Sequence, residues 1–157
     1  MIINRAYKYR IYPNEEQKIM FAKTFGCVRF VYNRMLEDKI KHYQETKEKL
    51  HNTPAQYKSE FEWLKECSSD SLIQSLRNLD AAFSNFFKKN AKYPKFKTKK
   101  CSRDSVKFRK TVHFDFIDWT VKLPKIGKID LCKNRTFNQA TNKIVNCTVS
   151  KDSCGTY

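Results

Sequence analysis

The sequence predicts an α+β protein in which a helical bundle is inserted after the first strand of a small antiparallel β-barrel. Three observations lead there. Apolar and charged residues alternate near the N-terminus with the period of a half-buried strand. From about residue 14 to residue 90 the apolar positions recur at helical spacing. Past residue 105 they return in short runs separated by turn residues, as in small β-domains.

In residues 5–12, Tyr7, Tyr9 and Ile11 fall on one face and Lys8 and Arg10 on the other, and Pro13 ends the strand. Asn14 is placed to cap a helix, with Gln17 at the capping-box position. Met20, Phe21, Thr24, Phe25 and Val28 form its apolar stripe, and Gly26 marks an expected bend between two helices. The second helix is expected over residues 27–49, burying Phe30, Val31, Met35, Leu36, Ile40 and Tyr43. Its charged half, from residue 37 onward, should be a solvent-exposed extension. Asn52-Thr53-Pro54 breaks that helix and caps a short third one carrying Tyr57, Phe61, Trp63 and Leu64. Ser68-Ser69-Asp70 then precedes the strongest pattern in the chain. Leu72, Leu76, Leu79, Phe83 and Phe86 recur with 4-3-4-3 spacing and make a seam for packing on the earlier helices.

The remaining elements are strands. Val106 and Phe108 mark one; Phe114, Phe116, Trp119, Val121 and Leu123 mark others. Pro124-Lys125-Ile126-Gly127 is a turn, residues 128–131 form a strand, and residues 143–150 form the last. The final residues read as a turn and the start of a returning strand, so the chain is expected to be cut within its β-domain. The expected organisation is thus a first strand in 1–12, a bundle in 13–90, a basic linker in 91–104 and the rest of the β-domain in 105–157.

Charge is the feature that points to function. Residues 88–110 hold eleven Lys/Arg and a single acid, Asp104, within a chain of net charge +16. Like charges packed this closely call for a polyanion, and each phosphate they neutralise releases a condensed counterion. Lys88, Lys89, Lys92, Lys95, Lys97, Lys99, Lys100, Arg103, Lys107, Arg109 and Lys110 are therefore expected to contact phosphates without reading sequence. Tyr93 and Phe96 either stack on a nucleotide or pin the linker to the bundle. Lys8 and Arg10 are candidate partners of RNA. Arg29 and Asn33, one helical turn apart, either reach the RNA backbone or hydrogen-bond within the bundle.

Other chemistries find little support. The six cysteines are far apart, none in a C-x-x-C pair, and read as reduced thiols that fill apolar space. No metal site is expected, and no catalytic residue. No apolar run approaches a membrane span and no leader is visible at the N-terminus, so a cytoplasmic protein is expected.

Several blocks resemble one family. They are Arg5-Ala6-Tyr7-Lys8-Tyr9-Arg10-Ile11-Tyr12-Pro13-Asn14-Glu15-Glu16-Gln17, Phe25-Gly26-Cys27-Val28-Arg29-Phe30-Val31-Tyr32-Asn33, Trp63-Leu64-Lys65-Glu66, Leu76-Arg77-Asn78-Leu79-Asp80-Ala81-Ala82-Phe83, Tyr93-Pro94-Lys95-Phe96-Lys97 and Leu123-Pro124-Lys125-Ile126-Gly127. In this order and spacing they are similar to the TnpB (OrfB) proteins encoded by bacterial insertion sequences. The resemblance implies an RNA-guided DNA endonuclease related to compact type V CRISPR effectors. Its barrel would be the wedge domain and its inserted bundle the recognition domain. Together these would hold a guide RNA and double-stranded target DNA beside a short flanking motif. The family cuts DNA with a RuvC-like domain, using three carboxylates and divalent metal, and carries a zinc finger there. Those residues are expected beyond residue 157, leaving no cofactor for this part. Ile129-Asp130-Leu131 mimics a catalytic strand, but Cys132 replaces the glycine that normally follows, and Asp130 is read as an exposed strand residue.

The resemblance also places Ser69, Asp70, Ile73 and Gln74 near the flanking DNA motif, with Gln74 suited to pair with adenine. For Ser69 a capping role is an equal alternative, and for Asp70 it is the favoured one. Two other readings of the chain stay open. One is a helix-turn-helix DNA-binding regulator; the other is the N-terminal piece of an active nuclease completed in trans.

Overall fold

A computed structural model describes residues 1–100, 103–109, 111–135 and 143–157. The order is β1 (Ile11–Tyr12), α1 (Glu15–Thr46), α2 (Pro54–Glu60), a 3-10 turn (Glu62–Glu66), α3 (Ser69–Phe87), then β2 (Ser105–Phe108), β3 (His113–Asp115), β4 (Thr120–Leu123), β5 (Gly127–Leu131) and β6 (Cys147–Ser150). This is the expected mixed architecture, with the helices following the first strand.

The helix starts behave as their sequences dictate. Asn14 Oδ1 accepts the Gln17 amide at 2.8 Å, and Gln17 Oε1 accepts the Asn14 amide at 3.0 Å. Thr53 and Gln56 repeat the capping box at α2, with Pro54 in the first turn. The expected bend at Gly26 is absent: α1 runs unbroken for 32 residues. A Cβ at Gly26 would meet nothing within 4 Å, so neither packing nor backbone conformation interrupts the helix there. Continuity is favoured because apolar contacts support α1 on both sides of that glycine.

Two cores form. Ile11, Phe21, Phe25, Val106, Phe108, Val121, Leu123, Ile129 and Val149 pack together between the sheets and the start of α1. Cys27, Val31, Met35, Leu36, Leu64, Cys67, Leu72 and Leu79 form the second, among the helices. Each fully buried side chain of this size contributes roughly 1.5–3 kcal/mol. Tyr43, expected inside, is exposed, while Phe30 and Ile40 are half-buried. The charged half of α1 is also less free than its sequence suggested. Asp38 accepts the Tyr57 hydroxyl at 2.5 Å, and Lys39 reaches the Leu50 carbonyl at 2.9 Å.

The strands make two antiparallel ladders, β1-β5-β4-β3 and β2-β6. Ile11 lies opposite Leu131, Val121 opposite Ile129 and Val106 opposite Val149. Strand β1 is shorter than expected, because Tyr9 leaves the ladder to pack on Phe114 and Phe116 while its hydroxyl donates to the Arg135 carbonyl. Trp119 belongs to the turn between β3 and β4, at φ 52°, and Gly127 takes φ 95° where the next turn enters β5. The last strand is confined to Cys147–Ser150, and Val145 is exposed. Residues 151–157 then turn back: the Ile11 amide donates to the Tyr157 carbonyl at 3.1 Å, and the Tyr157 ring sits 5.1 Å from Phe21. The free edge of β1 is thereby met by the segment that follows β6. Asp130 is exposed in β5, opposite Tyr12 and Thr120.

Loss of the first cap should be measurable. Asn14→Ala is expected to lower the unfolding free energy by about 1 kcal/mol. Tyr43→Ala, on an exposed face, should change it by less than about 0.5 kcal/mol. Urea unfolding of both variants beside the parent checks the pair.

Candidate nucleic-acid interface

The basic segment is not a loose linker. It leaves the C-terminus of α3 and runs back along the bundle, held at several points. Tyr93 meets Phe83 and Phe86 edge-on at 5.7 and 5.1 Å, and Pro94 is buried beside them. Asn33 then grips the backbone of Lys97 from α1, its Nδ2 donating to the carbonyl and its Oδ1 accepting the amide, both at 2.8 Å. The Lys97 ammonium lies 4.3 Å from the centre of the Tyr32 ring, where desolvation lowers its pKa. Arg29, one turn before Asn33, pairs with Asp104 at 3.1 Å. Finally Asp70 in α3 accepts the backbone amide of Arg109 at 2.6 Å. The path from residue 88 to residue 109 thus returns along α3, whose 19 residues span roughly 28 Å.

The contacts holding the segment are backbone hydrogen bonds, ring contacts and the one pair made by its single acid. Among the described residues, none of the segment's own Lys or Arg side chains forms an ion pair. Outside the segment, Lys18, Lys23, Arg29, Arg34, Lys39, Lys41, Lys65 and Lys128 have carboxylate partners. What sets this path apart is the density of its unpaired cations.

That path opens into a cleft of about 240 Å³ where the helices meet the sheets. Phe25, Val28 and Arg29 of α1 line it with Gln74, Ser75 and Asn78 of α3, Lys97, Arg103 and Asp104 of the basic segment, Ser105 and Lys107 of β2, and Thr148 of β6. Within that lining the Ser75 hydroxyl donates to the Val28 carbonyl at 3.0 Å. Four cations and one acid at the rim suit phosphate oxygens.

The structure distributes the sequence-predicted residues unevenly. Lys97, Arg103, Lys107, Arg29 and Gln74 converge on the cleft, while Lys88, Lys89 and Lys92 lie at the far end of α3. Lys95, Lys99, Lys100 and Arg109 are exposed, and Lys110 falls outside the described residues. Arg10 is exposed and donates to Thr156 at 3.2 Å; Lys8 is exposed beside it in sequence. Arg29 and Asn33 are engaged within the protein, as positioning groups for the basic segment.

The first turn of α3 is more closed than the resemblance suggested. Ser68, rather than Ser69 or Asp70, occupies the cap, with no side-chain cap bond. Ser69 accepts the Lys58 ammonium at 2.6 Å. Gln74 is only 3% exposed and donates to Asp70 at 3.2 Å, so its amide is turned inward, whereas Ile73 is 41% exposed. Sequence reasoning missed Asp104 as an anchor. A lone acid among eleven cations is the signal that would have found it.

The thiols follow burial. Cys27 and Cys67 are buried, and hydrogen bonding between them raises the first and lowers the second. Cys147 is pushed up to about 11 by burial, Cys132 is half-buried and Cys154 is exposed; Cys101 lies outside the described residues. The chemistry that the resemblance implies needs several carboxylates together. Among the described residues no group of three or more His, Cys, Asp or Glu side chains is close enough to hold a metal ion, so the residues present do not fit such a centre. No described helix is long and apolar enough to cross a membrane.

Asn33→Leu should release the basic segment. Trypsin is expected to cut between residues 95 and 100 several-fold faster, while stability falls by about 1 kcal/mol. Mass-spectrometric timing of the first cuts checks this, and unchanged cleavage would show that Asn33 does not hold the segment.

Comparison with known proteins places this arrangement. Residues 1–48 match the helix-turn-helix domain family of OrfB proteins of the IS605 type. In this chain those residues form β1 and the single helix α1. A Streptomyces pristinaespiralis protein named "Putative RNA-guided DNA endonuclease" is 34% identical over 161 residues, covering 98% of this chain and 40% of that protein. The Escherichia coli "Putative RNA-guided DNA endonuclease InsQ" is 32% identical over 158 residues, covering 96% of this chain and 38% of the relative. The Salmonella dublin "Virulence protein VsdF" is 39% identical over 113 residues, 60% of this chain and 93% of its own length. The chain thus spans about 40% of the length of the two endonuclease relatives. With its own blocks in family order and its β1-α1 start inside the OrfB match, the chain belongs to the TnpB (OrfB) family.

Proposed function

We propose that these residues form a nucleic-acid-binding module of an RNA-guided DNA endonuclease, gripping guide RNA and target DNA through phosphates without cutting either. The observation that carries this reading is the run of cations fixed in place yet lacking acidic partners. A protein that only needed solubility would leave such charges on mobile side chains of a mobile segment. Here the backbone is fixed first and the charge stays available. The interaction is sequence-tolerant, since lysines on a ribbon meet phosphates rather than base edges.

Cleavage is assigned elsewhere in the family's machinery. Several acids of this chain are engaged within it: Glu37 pairs with Lys41, Glu66 with Lys23 and Asp80 with Lys39, while Asp115 and Asp152 accept backbone amides. The divalent metal and zinc that the family requires belong, in this reading, to its nuclease region. Base pairing would read the target, and this module would hold the heteroduplex and its flank by shape.

The test is a salt titration of structured RNA and of duplex DNA by fluorescence anisotropy. Affinity should fall by about 10³ or more between 50 and 200 mM salt. Changing Lys95, Lys97, Lys99 and Lys100 together to Glu should weaken binding to every sequence and reduce the salt slope by about four. Mg²⁺ or Mn²⁺ should produce no cleavage. Salt-independent affinity, or affinity unmoved by the charge reversal, would sink the proposal. Tight, sequence-specific binding to duplex DNA with no RNA preference would instead favour a DNA-binding regulator.

A further inference from the structure

The far end of α3 carries a second kind of feature. The 4-3-4-3 seam is fully buried at Leu72 and Leu79, and the helix continues for two more turns, of which Phe83 still packs against that core. Those turns hold Phe83, Phe86 and Phe87, and the chain then returns Tyr93 onto them. Phe83 and Phe87 are stacked at 6.4 Å with their planes 22° apart, and Phe86 supports Phe87 at 5.4 Å. Two rings therefore buttress Phe87, yet it remains 62% exposed, and Tyr93 beside them is 46% exposed.

Single exposed apolar residues need no explanation. This is a fixed group of rings, and its surroundings are cationic. Lys49 lies over the Phe87 ring at 5.4 Å. Lys88 and Lys89 follow Phe87 directly, Lys92 precedes Tyr93, and none of them forms an ion pair among the described residues. Lys88 and Lys89 also sit at the helix C-terminus, where they offset the partial negative charge that would repel a phosphate. A surface for another protein would exclude lysine from its centre. Rings framed by unpaired cations instead match a platform on which bases stack while phosphates pass alongside.

We propose that Phe87 and Tyr93 form a stacking shelf for unpaired bases of a single-stranded or bulged stretch of polynucleotide. Phe87 offers the open face, Tyr93 the adjoining edge, and Lys88, Lys89 and Lys92 receive the flanking phosphates. Lys49 covers Phe87 until a base replaces it, and its ammonium is then free to meet phosphate. The proposal rests on the nucleic-acid reading above and adds a term to it that depends on bases rather than charge.

The experiment compares a labelled single-stranded RNA with an abasic strand of the same length, for the parent chain, Phe87→Ala and Phe87→Trp. Phe87→Ala should lose about tenfold in affinity for the base-containing strand and keep its affinity for the abasic one, with the salt slope unchanged. Phe87→Trp should retain binding, and its added indole fluorescence should be quenched by the base-containing strand alone. Equal effects of Phe87→Ala on both strands, or no effect on either, would overturn the shelf while leaving the phosphate ribbon standing. Loss of self-association on sedimentation, with nucleic-acid affinity intact, would also overturn it by showing a protein contact. If the parent binds neither strand in a salt-dependent way, the nucleic-acid reading fails first and the shelf with it.

Discussion

One helix shared by two cores fixes the rest of the structure. The first three turns of α1 send Phe21 and Phe25 into the sheet core, and from Cys27 onward the same helix buries Val31, Met35 and Leu36 among α2 and α3. Rigid continuity across Gly26 ties the orientation of the helices to that of the sheets. The changeover has a chemical consequence. Where α1 passes from one core to the other, the side chains of Arg29 and Asn33 are left facing neither, and both are used to hold the basic segment. The cleft opens at this same changeover, lined by Phe25 and Val28 below and by cations at its rim. A bent α1 would have separated the two cores and dissolved the cleft.

Most of the architecture could be read from residue pattern because its causes are local. The Asn14 and Gln17 box, the proline at α2, the 4-3-4-3 seam of α3 and the turn at Gly127 each depend on neighbours within a few residues. The failures have a common cause too. Gly26 lowers helix propensity by about 1 kcal/mol relative to Ala, and that penalty was outweighed by packing contributed from residues as distant in sequence as Val149 and Tyr157. Tyr9 left its strand for contacts with Phe114 and Phe116, which no local pattern announces. Tyr43 sits at a correct helical position, but no element covers that part of α1.

The candidate interface was legible in composition and not in geometry. Eleven cations between residues 88 and 110 declare a polyanion, but they do not say whether the segment is loose or fixed. Its fixing depends on three long-range partners, Asn33, Arg29 and Asp70, each more than thirty residues away along the chain. The same blindness affects Gln74. On a helical projection it stands beside Asp70 as a polar residue available for base contact. In the fold, Asp70 turns toward Arg109 and Gln74 turns toward Asp70, leaving Ile73 as the outward residue of that turn.

How the charge is tolerated explains how it can act. Binding a rigid array of cations to a phosphate backbone costs less ordering entropy than binding a disordered one, because the chain entropy has been lost already on folding. The array would be self-defeating if each lysine were held by a carboxylate, since every phosphate would then have to break an ion pair. This protein limits that conflict by clamping the backbone and the rings of the segment instead of its ammonium groups: the Asn33 amide holds the Lys97 backbone, the Asp70 carboxylate accepts the Arg109 backbone N–H, and Phe86 meets the Tyr93 ring. The one ionic clamp, Arg29 to Asp104, spends an acid of the segment rather than one of its cations. Folding therefore preorganises the electrostatic surface without neutralising it. The position of α1 between the two cores is what makes those clamps reach.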